Sequence, residues 1–71
     1  MPLENKNITV VGMGLTGVAT ANFLVARQAV VTLIDAKSRI KLEKTIHSLR
    51  SEVRTIFECS EIPTPSDLIV L

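Results

Sequence analysis

Tryptophan and tyrosine are absent from the sequence. The two aromatic residues it has, Phe23 and Phe57, leave little with which to stack nucleobases as single-strand binders do. An excess of one charge is missing too: eight Lys and Arg stand against seven Asp and Glu, so there is no basic field to hold a nucleic acid backbone. Nucleic acid is therefore not an expected partner. The single cysteine, Cys59, excludes an intrachain disulfide, and without a second cysteine or a histidine cluster no metal site is indicated. A reducing cytoplasm is the compartment expected. The amino end, MPLENKN, carries Glu4 ahead of Lys6 and lacks the basic start of a secretory signal. Asn7 to Ala26 is uncharged and has the length of a membrane span. It contains three Gly, three Thr and two Asn, however, so a buried strand followed by a helix is expected, with no membrane partner.

At 71 residues the chain makes at most one small domain. A chain of this size buries only about 60% of the surface that its unfolded form exposes. Asn7 to Val11 is a β-rich run without alternation, the pattern of a strand covered on both faces. From about Thr16 to Gln28, Gly17, Ala21, Leu24 and Val25 recur at helical spacing, with Gly17 and Ala21 forming a small face. Val30 to Ile34 is a second strand, ending in Asp35. A second helix with Leu42, Ile46, Leu49 and Val53 three or four residues apart follows, with Ser38 as its candidate N-cap. Val53 to Phe57 fits a third, partly exposed edge strand, Pro63 and Pro65 break the chain, and Leu68 to Leu71 is a fourth apolar run. The expected fold is α/β, a Rossmann-like parallel sheet of order 3-2-1-4, incomplete at its carboxyl end. Residues 1–71 would then be part of a larger domain. An unpaired outer edge on the last strand would favour self-association.

All three glycines lie within VVGMGLTG. Gly12, Gly14 and Gly17 match G-x-G-x-x-G between the first expected strand and helix, and Ala21 adds a small residue one turn on. Gly12 permits the tight turn out of the strand, Gly14 lets a ligand's phosphates approach the main chain, and Gly17 lets the helix lie close to the sheet. The free N–H groups and positive dipole end at Leu15, Thr16 and Gly17 then favour an anionic diphosphate. Asp35, eighteen residues after Gly17 at the end of the second strand, can reach a nucleoside bound beside this loop. The glycines could instead serve only a tight turn and close packing. Strand, helix and acid together favour nucleotide binding without deciding which nucleotide.

GMGLTG, with Thr16 before the last glycine, followed by ANFLVARQAVVTLIDAKSR, resembles the amino-terminal domain of the D-glutamate-adding Mur ligases of peptidoglycan synthesis. The likeness runs from Lys6 through the closing DLIVL. It implies a domain that binds UDP rather than NAD, as part of the substrate UDP-N-acetylmuramoyl-L-alanine. The diphosphate would lie at the backbone of Leu15, Thr16 and Gly17, with Gly12 and Gly14 shaping the loop. The uracil would lie near Asp35, Ala36 and Lys37, its imide donating to the Asp35 carboxylate. In the family's reaction ATP activates the L-alanine carboxylate as an acyl phosphate, which the amine of D-glutamate attacks. ATP and magnesium belong to later domains of the parent enzyme, and this chain, with no G-x-x-x-x-G-K-[ST] sequence, is not expected to be active alone. Gln28 and Ala29 stand at the helix exit where the family often has Gly. Lys37 replaces a frequent Arg, keeping the charge without the planar fork.

Other tempting residues have plainer explanations. His47, with Glu43 one turn before it, is expected as a solvated surface histidine, and Cys59 as a structural or tolerated thiol. Thr16 is a candidate N-cap whose hydroxyl is also compatible with a phosphate contact. Lys37, Arg39, Lys41 and Lys44 are expected to form a solvated helix start. The NAD-binding half of a dehydrogenase, a nucleotide-sensing regulatory domain and a non-binding α/β piece remain open beside the ligase module.

Overall fold

The computed structural model describes residues 2–71. Four strands, β1 (Asn7–Val11), β2 (Val30–Ile34), β3 (Arg54–Ile56) and β4 (Leu68–Val70), form one sheet of order β3-β2-β1-β4, with every neighbouring pair parallel. This is the expected α/β arrangement and order. The β-branched runs NITVV and VVTLI occupy the two central positions, where such side chains pack well on a pleated surface.

Register assigns the faces. Ile8 pairs with Val31 and Val10 with Leu33, and all four are buried under helix α1 (Leu15–Ala26) with Met13, Val18, Ala21 and Leu24. On the opposite face lie Thr9 and Ile34, both buried, which face the side crossed by residues 57–67 on their way from one sheet edge to the other. Polar stitches fasten that crossover. The Ser66 hydroxyl donates to the Pro63 carbonyl (2.6 Å), which leaves the Thr9 hydroxyl to donate to Ser66 Oγ (2.7 Å). At the start of β4, Asp67 Oδ2 accepts the Asn7 N–H, and the Asp67 N–H donates to the Asn7 carbonyl, each at 2.7 Å.

Helix α1 carries no charged residue and begins without a side-chain cap; its N-cap is Gly14, in extended conformation. Thr16 lies inside the first turn, two residues past that position, so the expected capping role for its hydroxyl is not realised. The helix stops at Ala26 rather than Gln28. Gln28 takes a left-handed φ of 68°, its N–H donates to the Val25 carbonyl (3.0 Å), and the Ala29 N–H reaches back to Leu24 (3.3 Å). With Leu24 and Ala29 both buried, this is a Schellman closure in which glutamine fills the position that favours glycine.

The expected long second helix is replaced by one turn, α2 (Arg39–Leu42), and a 3-10 segment at Thr45–Ser48. Ser38 does stand at the N-cap position of α2, although its side chain makes no capping bond. Leu42 still reaches the core, Ile46 and Leu49 pack against it, and Val53 is buried from outside any helix. The physical reason lies on α1. The Asn22 amide donates to the Ser48 carbonyl (3.0 Å) and its Oδ1 accepts the Arg50 N–H (2.8 Å), taking up backbone groups that a continuing helix would have paired internally. β4 ends at Val70, leaving Leu71 outside the strand. Among the described residues nothing pairs with its outer edge, and Leu68, Ile69 and Leu71 are exposed.

Candidate nucleotide-binding site

The chain order reverses between β1 and β4, and there a groove of about 280 Å³ opens at the carboxyl ends of the two strands and the start of α1. Such a switch point is where open parallel sheets bind ligands. Gly12, Gly14, Thr16 and Gly17 all line it, joined by Thr20 and by Val70 and Leu71 from the β4 side.

The structure requires glycine at two of the three positions, for different reasons. Gly12 has a φ of 103°, a conformation that side chains strongly disfavour. A Cβ built on Gly17 would overlap the Gly12 carbonyl oxygen, so helix and loop touch backbone to backbone there. Gly14 has neither constraint: its φ is −78° and a Cβ there would meet nothing within 4 Å. Gly14 is exposed and lines the groove. The first backbone bond of α1 runs from the Val18 N–H to the Gly14 carbonyl (3.0 Å), so the N–H groups of Leu15, Thr16 and Gly17 have no intrahelical acceptor. With no acidic residue in the first turn, these amides and the helix dipole form a site suited to an anion.

Asp35, Ala36 and Lys37 stand behind the glycine loop, at the turn leaving β2. The Asp35 carboxylate is bound by backbone on both oxygens: the Met13 N–H donates to Oδ2 (2.7 Å) and the Lys37 N–H to Oδ1 (2.8 Å). These bonds, the Met13 one foremost, hold the carboxyl below its ordinary value of 3.8. Burial opposes them weakly, and the Lys37 charge adds to the effect. Ala36 and Lys37 are exposed, and Leu15 is 80% exposed beside the groove. Val10, Val11, Thr20, Val70 and Leu71 on the groove, and Met13 beside it, are not in the expected set. Thr20 was legible, one helical turn after Thr16 on the same face. Met13 acts through its main-chain N–H, for which no residue type is a signal, and Val70 and Leu71 enter through strand order.

His47 is exposed on the 3-10 segment, as expected. The Cys59 thiol donates weakly to the Glu61 carbonyl (3.2 Å), and its N–H donates to the Asp35 carbonyl (2.9 Å). Among the described residues no cluster of three metal-ligating side chains occurs, and no helix is long and apolar enough to cross a membrane.

The profile of the family described as "Mur ligase MurD-like, N-terminal domain" matches residues 6–70. Among similar proteins are three named UDP-N-acetylmuramoylalanine--D-glutamate ligase. The one from Geotalea uraniireducens is 49% identical over 49 residues, 69% of this chain and 11% of the relative. That from Desulfosudis oleivorans is 45% identical over 47 residues, 66% of this chain and 10% of the relative. That from Koribacter versatilis is 39% identical over 56 residues, 79% of this chain and 12% of the relative. The chain thus spans about a tenth of the length of the curated relatives it matches. No solved structure matches it significantly. A four-stranded parallel sheet with a glycine-lined groove at its switch point, and a family profile covering residues 6–70, lead to one conclusion: the chain belongs to the MurD-like N-terminal domain family of Mur ligases.

Proposed function

We propose that this chain is the UDP-N-acetylmuramoyl-L-alanine-binding portion of a longer ATP-dependent ligase that adds D-glutamate in peptidoglycan synthesis. The observation that carries the proposal is the open space over Gly14, next to three amides without intrahelical acceptors in a groove at the sheet's switch point. The diphosphate of the substrate accepts hydrogen bonds from Leu15, Thr16 and Gly17, and the exposed Thr16 hydroxyl lies within the same turn. The uracil lies toward Asp35, Ala36 and Lys37. Each Asp35 oxygen keeps a lone pair beyond its backbone bond, enough to accept the uracil imide.

Within the reaction this chain binds and orients. The acyl phosphate formed from the L-alanine carboxylate and ATP, and its attack by the amine of D-glutamate, depend on ATP and magnesium held elsewhere in the longer protein, since the chain has no G-x-x-x-x-G-K-[ST] loop. We place the protein in the cytoplasm, where a lone thiol is stable, and assign to the free β4 edge a tendency to self-association. The competing occupant of the same cradle is a dinucleotide. Calorimetric titration of the longer protein with UDP, UDP-N-acetylmuramoyl-L-alanine and NADH separates them: the uridine ligands are expected to bind more tightly, and tighter binding of NADH refutes the proposal.

A further inference from the structure

We infer that Asp35 is a positioning residue for the anion cradle: by accepting the Met13 N–H, its carboxylate fixes the main chain between Gly12 and Gly14 and so sets how the following amides meet a diphosphate. The identity of the diphosphate rests on the function proposed above; the hold on the loop does not.

The bonding around Asp35 is asymmetric. Its backbone is anchored from the β3 side, with its N–H donating to the Ile56 carbonyl (3.2 Å) and its carbonyl accepting the Cys59 N–H (2.9 Å). Its Oδ1 is closed onto the Lys37 N–H within its own turn. Its Oδ2 reaches across to the glycine loop. On that loop, Gly12 donates its N–H to the Ile34 carbonyl (2.8 Å) and Met13 donates to Asp35, so two consecutive amides grip the end of β2. Met13 sits between two glycines, the residues with the most backbone freedom, and its side chain is fully buried. The carboxylate therefore restrains the segment of chain least able to hold its own direction. A residue that only contacted the base would act on uridine compounds alone. A positioning residue acts on any diphosphate.

The test uses the longer protein and its Asp35→Ala variant, which removes both acceptor oxygens at once. In ligand-free protein, amide hydrogen exchange by NMR is expected to show Met13 protected in the wild type and exchanging about tenfold faster in the variant. An unprotected Met13 amide in the wild type, or an unchanged rate in the variant, overturns the inference. Titration with inorganic pyrophosphate and with UDP, well below the variant's unfolding temperature, is expected to show both weakened by about tenfold. Loss of UDP binding with pyrophosphate unaffected assigns Asp35 to the base alone, and a lower unfolding temperature with both affinities intact makes its role structural; each outcome overturns the positioning role. Failure of the wild type to bind UDP defeats the proposed function instead, and the exchange measurement still decides whether Asp35 holds the loop.

Discussion

Replacing Gly17 by alanine sets two effects of opposite sign against each other. In a helix interior, alanine is favoured over glycine by about 1 kcal/mol, so propensity alone makes the variant more stable. The added Cβ, however, would overlap the Gly12 carbonyl oxygen, and neither side can yield cheaply. Gly17 belongs to the first turn of α1, while Gly12 is held by its N–H bond to Ile34 and by its left-handed φ. Overpacking of this kind costs about 3 kcal/mol when both partners are backbone, leaving a net destabilisation of roughly 2 kcal/mol. For a domain of this size that lowers the midpoint of thermal unfolding by roughly 8–16 °C. Circular dichroism melts of the two proteins in one buffer provide the measurement. An alanine variant that melts at or above the wild-type temperature means that propensity has won, and the close approach of helix and loop is then wrong.

Gly14→Ala is the companion case. With open space around the Cβ, only the N-cap preference is lost, about 0.5–1 kcal/mol, whereas the methyl group stands where a phosphate would approach; UDP affinity is expected to fall more than stability, and intact affinity in titration calorimetry argues against that approach. Because the Asp35 carboxyl is held below 3.8 in the folded chain, its contribution to stability is complete above that pH and is lost as pH falls through the folded value. Urea unfolding of Asp35→Asn is therefore expected to be less pH-dependent than the wild type between about pH 5 and 2; Glu52, held low by Arg50, titrates in both proteins and cancels, so equal slopes would contradict the assignment. Gln28→Gly removes a left-handed non-glycine residue and is expected to raise stability by about 1 kcal/mol in the same melts, a gain that disappears if φ at this position is negative. Finally, the free β4 edge predicts oligomers in sedimentation velocity at high concentration, and a strictly monomeric chain counts against it.

The layout was legible because its signals are local and redundant. Two β-branched runs, three spaced glycines and an acid at the end of β2 all indicate the same parallel sheet, and the strand order follows from general rules of topology. The second helix was misjudged because Leu42, Ile46, Leu49 and Val53 reach the core at helical intervals from chain that is mostly not helical. The side chain that interrupts it, Asn22, lies on another element and carries no mark of that role in the sequence. Thr16 failed as a cap because Gly14, two residues earlier, occupies the N-cap position of α1. At the site, the glycines and Asp35 were legible as residue types. What was not legible is that the acid's most direct partner is a main-chain amide of the loop itself, because backbone donors are the same at every position.

The contact between the Gly17 backbone and the Gly12 carbonyl leaves the start of α1 no slack relative to the sheet. The amides at the start of α1 are therefore aimed by the fold itself, before any anion arrives. For a diphosphate bound as proposed above, the cost of ordering this turn would already be met within the fold.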